Sequence, residues 1–435
     1  MRTQRRPVLA ISIVLALALV AAGCGQKSGV AGQEVATGGA PGATTPAAGA
    51  EGEGEPAAAH EAGPDDKVGV TDDEIVIGVH APVTGASPIP QDSFEVGKDI
   101  YWKFLADSAP DQLFGRTVRV VFRDDKFNPN EAVRVCREMV EQEKAFLLVG
   151  GGGADQITAC AKYADEAGVP YLSAGVNEAG LTDLSTYFAT TLSYPAQAPL
   201  IVDLMKENEF QKIGVVTADT PSFQDAHDAF VKAAEDGGLD IVVDTPINKT
   251  ASPTEALSVV NDLKGADVEA VFLLASPTVY VTGLATGARS QGFEPTWVGP
   301  GVTSGLNAVL TFGCPAVEKG LFFSPFPGLD VIDDLDKDFT PAYPKFAGGE
   351  EADDIGLALW SLNKALALMF EATGKDLGRA AFMNTIESTE EFDNGIYPPV
   401  RFTADDHFGG TGAHLLDANC TSKLYETAEP FVEAG

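Results

Sequence analysis

The chain has 435 residues, of which 63 are acidic and 29 basic, for a formal net charge of −34 at pH 7. That length fits two ordinary domains. So negative a field repels nucleic acid and anionic headgroups, which excludes partners held by charge of that sign, and it is read as a solvated acidic surface.

The chain opens with Arg2, Arg5 and Arg6, an apolar run from Val8 to Val20, and then Ala21-Ala22-Gly23-Cys24. A charged start, a short apolar stretch and small residues before a cut predict an export signal. The cysteine behind Ala-Ala-Gly looks like a bacterial lipobox with Ala21 in place of the usual leucine, so residues 1–23 are expected to be a lipoprotein signal peptide and Cys24 the lipidated N-terminus. Arg5-Arg6 also admits twin-arginine export. From Gln26 to Pro64 the chain is mostly Ala, Gly, Pro, Thr and Glu, too poor in large apolar residues to offset ordering entropy. Residues 24–70 are therefore predicted to be a disordered stalk, with the folded part held at the extracytoplasmic face of the bacterial cell membrane through lipid. No later stretch reads as a span, because Ala358 to Phe370 is interrupted by Asn363 and Lys364.

After Thr71, short β-rich runs alternate with helical periods. Glu74–Val79 reads as a strand, Phe94–Ala106 as a helix, Thr117–Phe122 as a strand, and Asn130–Glu143 as a helix with Val133, Cys136, Met139 and Val140 on one face. Ala145–Val149, helical Asp155–Ala167 and strand Val169–Ser173 follow. A second cycle runs through helix Pro195–Glu207, strand Lys212–Thr217, helix Phe223–Glu235, strand Leu239–Asp244, helix Thr254–Leu263, strand Ala270–Leu274, helix Pro277–Ser290 and strand Thr296–Val298. Helix Ile355–Thr373 and short strands at Val400–Phe402 and His414–Leu416 are expected to return and complete both lobes. This alternation predicts an α/β protein of two lobes, each a mostly parallel sheet flanked by helices. The expected division is 71–193 with 325–396 as lobe 1, and 194–324 with 397–435 as lobe 2. Chain crossings are placed near Thr190–Pro195, Gly320–Pro327 and Asn394–Pro399.

The cysteines divide into Cys24 for lipid and four others, an even set that favours disulfides in an oxidising compartment. Four cysteines allow three connectivities. Pairing Cys136 with Cys160 and Cys314 with Cys420 staples neighbouring elements within one lobe each; the competing reading makes Cys136 a small buried hydrophobe.

Open α/β sheets take ligands beyond the carboxyl ends of their strands. The loops at stake are 80–90, 150–155, 174–178, 218–223, 275–278 and 299–304. Among them lies Gly150-Gly151-Gly152-Gly153-Ala154-Asp155, between a buried strand and a helix. It has neither the Lys and Ser/Thr of a phosphate loop nor the last glycine of a dinucleotide fingerprint. Two readings stand: backbone N–H groups left bare for a small ligand's carboxylate or amide, or a tight turn needing positive φ. Asp155 is likewise open between ligand contact and a helix N-cap, and Phe223 between a cleft wall and a core residue.

Ile75 to Gly85, Arg123-Asp124-Asp125 with Asn128-Pro129 and Ala132, Gly150 to Ala174, Lys212 to Val216, Gly287 to Gly292 and Trp297 to Pro300 together resemble the type I periplasmic binding proteins of the leucine/isoleucine/valine-binding kind. The resemblance implies two lobes joined by three crossovers at a hinge, closing on a small amino-acid-like, amide or carboxylate ligand and presenting it to an ABC transporter permease, as a monomer with no cofactor. Carried over residue by residue, it implies a ligand site at Ser87, Gly153, Ala154, Asp155, Gly175, Val176, Asn177, Phe223, Pro277 and Gly301. Gly301 stands where the family places the acid that pairs a ligand ammonium, a departure that leaves a ligand without an ammonium, or Asp155 as the substitute acid.

No Gly-x-Ser-x-Gly elbow, HExxH or CxxC occurs, so no catalytic residue and no metal set is assigned and an anchored hydrolase is the lesser alternative. His60 is placed in the stalk, and His80, at the end of the first strand, is the one histidine near the cleft. A ligand-sensing lipoprotein that signals to a membrane receptor would carry the same pocket.

Overall fold

The computed structural model describes residues 59–173, 180–301 and 305–434, and its strands assort into two sheets. The first takes β1 (Glu74–Ala81), β2 (Thr117–Asp124), β3 (Leu147–Gly150), β4 (Tyr171–Ser173) and β5 (Tyr187–Ala189), parallel throughout in the order β2-β1-β3-β4-β5. The second takes β6 (Lys212–Ala218), β7 (Asp240–Ile247), β8 (Ala270–Leu274), β9 (Thr296–Pro300), β10 (Gly320–Ser324), β11 (Gly412–Asn419) and β12 (Leu424–Glu433), in the order β12-β11-β10-β9-β8-β6-β7. Only β11 and β12 run antiparallel to their neighbours.

Helices lie between the strands, and local chemistry fixes where they begin. In α3 (Pro129–Glu141) the Asn128 side chain accepts from the N–H groups of Asn130 and Glu131, and proline occupies the first turn, where no intrahelical donor is lost. Its Val135, Cys136 and Met139 are buried at helical spacing against the first sheet. α7 (Pro253–Gly265) begins with a reciprocal box, Ser252 accepting from the Glu255 N–H while the Glu255 carboxylate accepts from the Ser252 N–H. α4 (Ala154–Glu166) starts directly behind β3, on a bare Gly153 cap.

The chain passes between the two cores three times: between β5 and α5 (Tyr194–Glu207), after β10, and between Phe402 and β11. Residues 326–402 supply helices to the core over the first sheet, including α13 (Asp354–Thr373), whose Trp360 meets Tyr101 edge-on. By length and apolar content α13 qualifies as a span, contrary to the sequence expectation. It is a core helix, with Leu357, Trp360, Leu366 and Phe370 buried and Lys364 bonded to Asp336. Disulfides join Cys136 to Cys160 and Cys314 to Cys420, the pairing chosen from the sequence.

Several boundaries differ from the sequence reading. The helix expected over 94–106 is two helices, Gln91–Gly97 and Ile100–Ser108. Val400–Phe402 makes only isolated bridges. The segment from His60 to Val70 is docked rather than extended as stalk: the His60 N–H donates to Asn384 Oδ1 at 2.8 Å and Asp66 accepts from the Ala380 N–H at 2.8 Å. The helix over 277–290 contains a π-helical stretch, Tyr280–Ala285, that periodicity does not reveal.

Candidate functional site

Loops at the carboxyl ends of the two sheets meet through a charged contact. Asp155, at the second position of α4, receives hydrogen bonds from the Thr220 hydroxyl at 2.6 Å and the Ser222 hydroxyl at 2.8 Å, both on the loop after β6. Its other oxygen is bonded by the ammonium of Lys249, on the loop after β7. Burial alone would raise the Asp155 carboxyl, but the bonds from Lys249, Thr220 and Ser222 outweigh it and hold the group below the ordinary carboxylate range. Asp155 therefore does not cap its own helix. Gly153 occupies the cap position with no side-chain bond, and the Asp155 side chain is spent across the cleft.

The four glycines have a different physical reason from the turn geometry expected, since none of them has positive φ. Beneath them lies a fully buried chain in which His80 Nδ1 bonds Asp125 Oδ2 at 2.8 Å and His80 Nε2 bonds the Tyr171 hydroxyl at 2.7 Å. A Cβ on Gly150 would stand 1.6 Å from that hydroxyl, and one on Gly151 would stand 2.4 Å from the His80 carbonyl oxygen. These two glycines make room for the buried chain. Gly152 faces Pro82 and Ile89 at ordinary to tight distances, and Gly153 is crowded by the buried Gln156 side chain and by the Phe127 ring, whose Cε2 would stand 3.2 Å from a Cβ there. His80 has both ring nitrogens occupied, and the two cysteines near it are tied into a disulfide, so this cluster is structural.

Beside the glycine turn a cavity of about 550 Å³ opens between the sheets. Its walls come from residues 83 and 88–91 behind β1, from 277–282 behind β8, and from 306–312. Across its edge the Thr278 hydroxyl reaches Ser87 Oγ at 3.4 Å. Ser276 caps the turn at Pro277 by accepting from the Val279 N–H, which fixes the wall on that side.

Of the residues expected at a site, Pro277 lines the cavity, Ser87 meets the lining residue Thr278, Asp155 meets Thr220, Ser222 and Lys249 of the second sheet's loops, and Gly153 and Ala154 precede Asp155 at the start of α4. Phe223 ends a short 3-10 turn and packs edge-on against Tyr194 at 5.8 Å, beside the core of the second sheet. Gly301 is buried, and a Cβ there would meet the Phe323 carbonyl oxygen at 2.7 Å, so no acid fits in its place. Gly175, Val176, Asn177 and Cys24 lie outside the described residues. Lys249, Thr220 and the 306–312 wall were missed. The signal for Lys249 was present: β7 runs to Ile247, three residues beyond the end read at Asp244, so the loop after it was left out of the cleft set.

A sequence profile described as periplasmic binding protein matches residues 74–422. An amino acid binding protein of Pseudomonas aeruginosa is 31% identical over 121 residues, covering 26% of this chain and 30% of that relative. Among solved structures, a solute binding protein of an ABC transporter from Rhodopseudomonas palustris BisB5, in complex with 3,4-dihydroxybenzoic acid, superposes with a TM-score of 0.70 at 16% identity, over 83% of this chain and 98% of that one. A fatty acid ABC transporter substrate-binding protein from Thermomonospora curvata gives 0.71 at 21% identity, over 85% and 96%. An ABC transporter substrate-binding protein from Desulfitobacterium hafniense in complex with Leu gives 0.66 at 19% identity, over 82% and 100%.

Proposed function

Since the chain belongs to the periplasmic binding protein family, we propose that it is a lipid-anchored extracytoplasmic solute-binding protein that captures a small ligand between its two lobes and delivers it to an ABC importer. The observation that carries this reading is the crevice itself, a cavity of about 550 Å³ whose walls come from loops of both sheets, bridged at one end by Asp155 and Lys249. Such a cavity falls in the size range of small-molecule sites. The lobe division proposed is that expected from the sequence, 71–193 with 325–396 against 194–324 with 397–435, with its last boundary moved from 396 to beyond Phe402, because Tyr397, Val400 and Phe402 pack in the core over the first sheet. Closure of one lobe on the other is a population shift that a permease distinguishes from the open form.

The proposed site runs along Ser87, Gly153, Ala154, Asp155 and Pro277, with Gly175, Val176, Asn177, Phe223 and Gly301 as further proposed members. Binding without turnover fits the histidines near it: His80 is consumed in the buried chain with Asp125 and Tyr171. Anchoring rests on Cys24 in its lipobox-like setting. A thermal-shift screen of the full chain against amino acids, amides, ureas and carboxylates tests capture, since a true ligand in excess raises the melting point by mass action. Small-angle scattering with and without that ligand tests closure, and equal radii refute it. Loss of labelled palmitate incorporation in Cys24→Ala tests the anchor, and turnover of any chromogenic ester refutes the non-enzymatic reading.

A further inference from the structure

The cavity walls carry a chemical preference that the family assignment does not. Among the residues lining it are Val83, Ile89, Val281, Leu306 and Phe312, and among the described residues no lining side chain is ionisable. The polar side chains among the described lining residues are Gln91, Thr278 and Thr282. Phe312 lines the cavity while remaining 79% exposed, an apolar ring left at the mouth instead of in a core. Gly152 adjoins the same space through Pro82 and Ile89, so the glycine turn and the apolar walls belong to one crevice. A ligand ammonium finds no free carboxylate at the two positions that were candidates to hold one. Asp155 is bonded by Thr220, Ser222 and Lys249, and Gly301 has a carbonyl oxygen where a side chain would start. Burying a cation without a partner costs several kcal/mol in general.

Resting on the solute-binding reading above, we propose that the ligand is a small molecule whose bulk is hydrocarbon, lodged between 83–91 on one side and 277–282 with 306–312 on the other, with its polar group toward the Ser87–Thr278 edge and no ammonium. The occupant is a small molecule because the walls come from both sheets, so closure of the lobes encloses whatever lies there. Branched-chain amino acids are disfavoured by the same geometry.

The test is calorimetric titration of the full chain with straight-chain carboxylates from butanoate to decanoate, and with L-leucine. Each methylene taken from water into the walls contributes about fourfold in affinity, equivalent to ~0.8 kcal/mol, so octanoate is expected to bind about sixteenfold more tightly than hexanoate. Decanoate is expected to exceed L-leucine by at least tenfold. Thr282→Asp, at an exposed position of the wall, places a charge against the chain and is expected to lower decanoate affinity at least tenfold while the melting temperature of the free protein holds. Phe312→Ser, also at an exposed residue, is expected to weaken the longest members selectively. Affinity that is flat with chain length, or L-leucine bound more tightly than decanoate, overturns the inference. Tight L-leucine binding would do so while leaving the solute-binding reading intact; a scattering radius that responds to no solute in the wider screen removes that reading itself.

Discussion

Replacing Asp155 by alanine removes a charged contact between loops of the two sheets, and its effect can be sized. The variant loses two hydroxyl donors, Thr220 at 2.6 Å and Ser222 at 2.8 Å, and the Lys249 ammonium. Hydrogen bonds to a charged group contribute roughly 1.5–3 kcal/mol each when shielded, whereas an exposed ion pair contributes about 0.2–1 kcal/mol. The Asp155 side chain is 20% exposed and Lys249 34% exposed, so solvent screens part of the pair and the lower end applies. In the open form all these groups are hydrated, and two bonds and the pair at their lower ends leave a net closing contribution of about 3 kcal/mol. At about 1.4 kcal/mol per tenfold, Asp155→Ala shifts the open-to-closed ratio by roughly 140-fold toward open. Single-molecule energy transfer between one dye on each lobe reads that ratio directly, and a double-mutant cycle with Lys249→Ala isolates the pair. A closed fraction unchanged in Asp155→Ala, or a coupling below about 0.3 kcal/mol in the cycle, refutes the reasoning. The carboxyl is held below its ordinary value, so the contact is fully present above that ordinary value and weakens only as pH falls through the depressed one. The closed fraction is accordingly expected to be flat from pH 8 to pH 5.

Gly150→Ala drives a methyl into the Tyr171 hydroxyl and the His80 ring, and is expected to cost ~3 kcal/mol in urea unfolding, while Gly152→Ala, with its nearest neighbour at 3.3 Å, stays below about 1 kcal/mol. Two buried groups set opposed pH dependences. Burial lowers His414 to about 4 although its Nε2 donates to the Ile396 carbonyl, so the unfolded chain binds the extra proton and stability falls as pH drops from 6.5 toward 4. Burial raises Asp354 to about 7, so the folded chain binds the extra proton and stability instead rises as pH drops from 7 toward 4. Asp354→Asn removes the second contribution, and the stability of the variant relative to wild type is expected to fall by roughly 3–4 kcal/mol between pH 7 and pH 4 in denaturant titrations, at about 1.4 kcal/mol per unit; a parallel pair of curves contradicts it. Of the disulfides, Cys314–Cys420 spans 106 residues and Cys136–Cys160 spans 24, so double alanine replacement at the longer is expected to lose about 1 kcal/mol more in the chain-entropy account.

Much of this architecture follows from local chemistry. The apolar run Ala270–Leu274 is β8 to the residue, because a strand buried on both faces reads as an uninterrupted apolar stretch. Of the face read at Val133, Cys136, Met139 and Val140, Cys136 and Met139 are buried while Val133 and Val140 are half-buried, with Val135 turned inward instead. The Asn128-Pro129 start of α3 and the Ser252-to-Glu255 box of α7 are signals carried within a turn or two of chain. So is the alternation that predicts parallel sheets, and with it the idea that ligand chemistry sits on the loops beyond their carboxyl ends. Where local signals conflict, boundaries move. Asp244-Thr245-Pro246 looks like the end of a strand, yet β7 continues to Ile247 because β6 pairs with it to that point.

Tertiary structure decided what those loops touch. Asp155 has the sequence of a helix cap, but its partners are 65, 67 and 94 residues away, and no local rule reports a hydroxyl or an ammonium on another sheet. The need for Gly150 is set by Tyr171 and His80, side chains of neighbouring strands, and not by the backbone angles of the turn itself. The cavity exists only because segments 83–91, 277–282 and 306–312 meet in space. Sequence thus determined the elements and their order, since each depends on periodicity and caps a few residues long. The latch, the packing role of the glycines and the apolar character of the crevice depend on distances between residues remote in the chain, and those are set only when the two sheets pack.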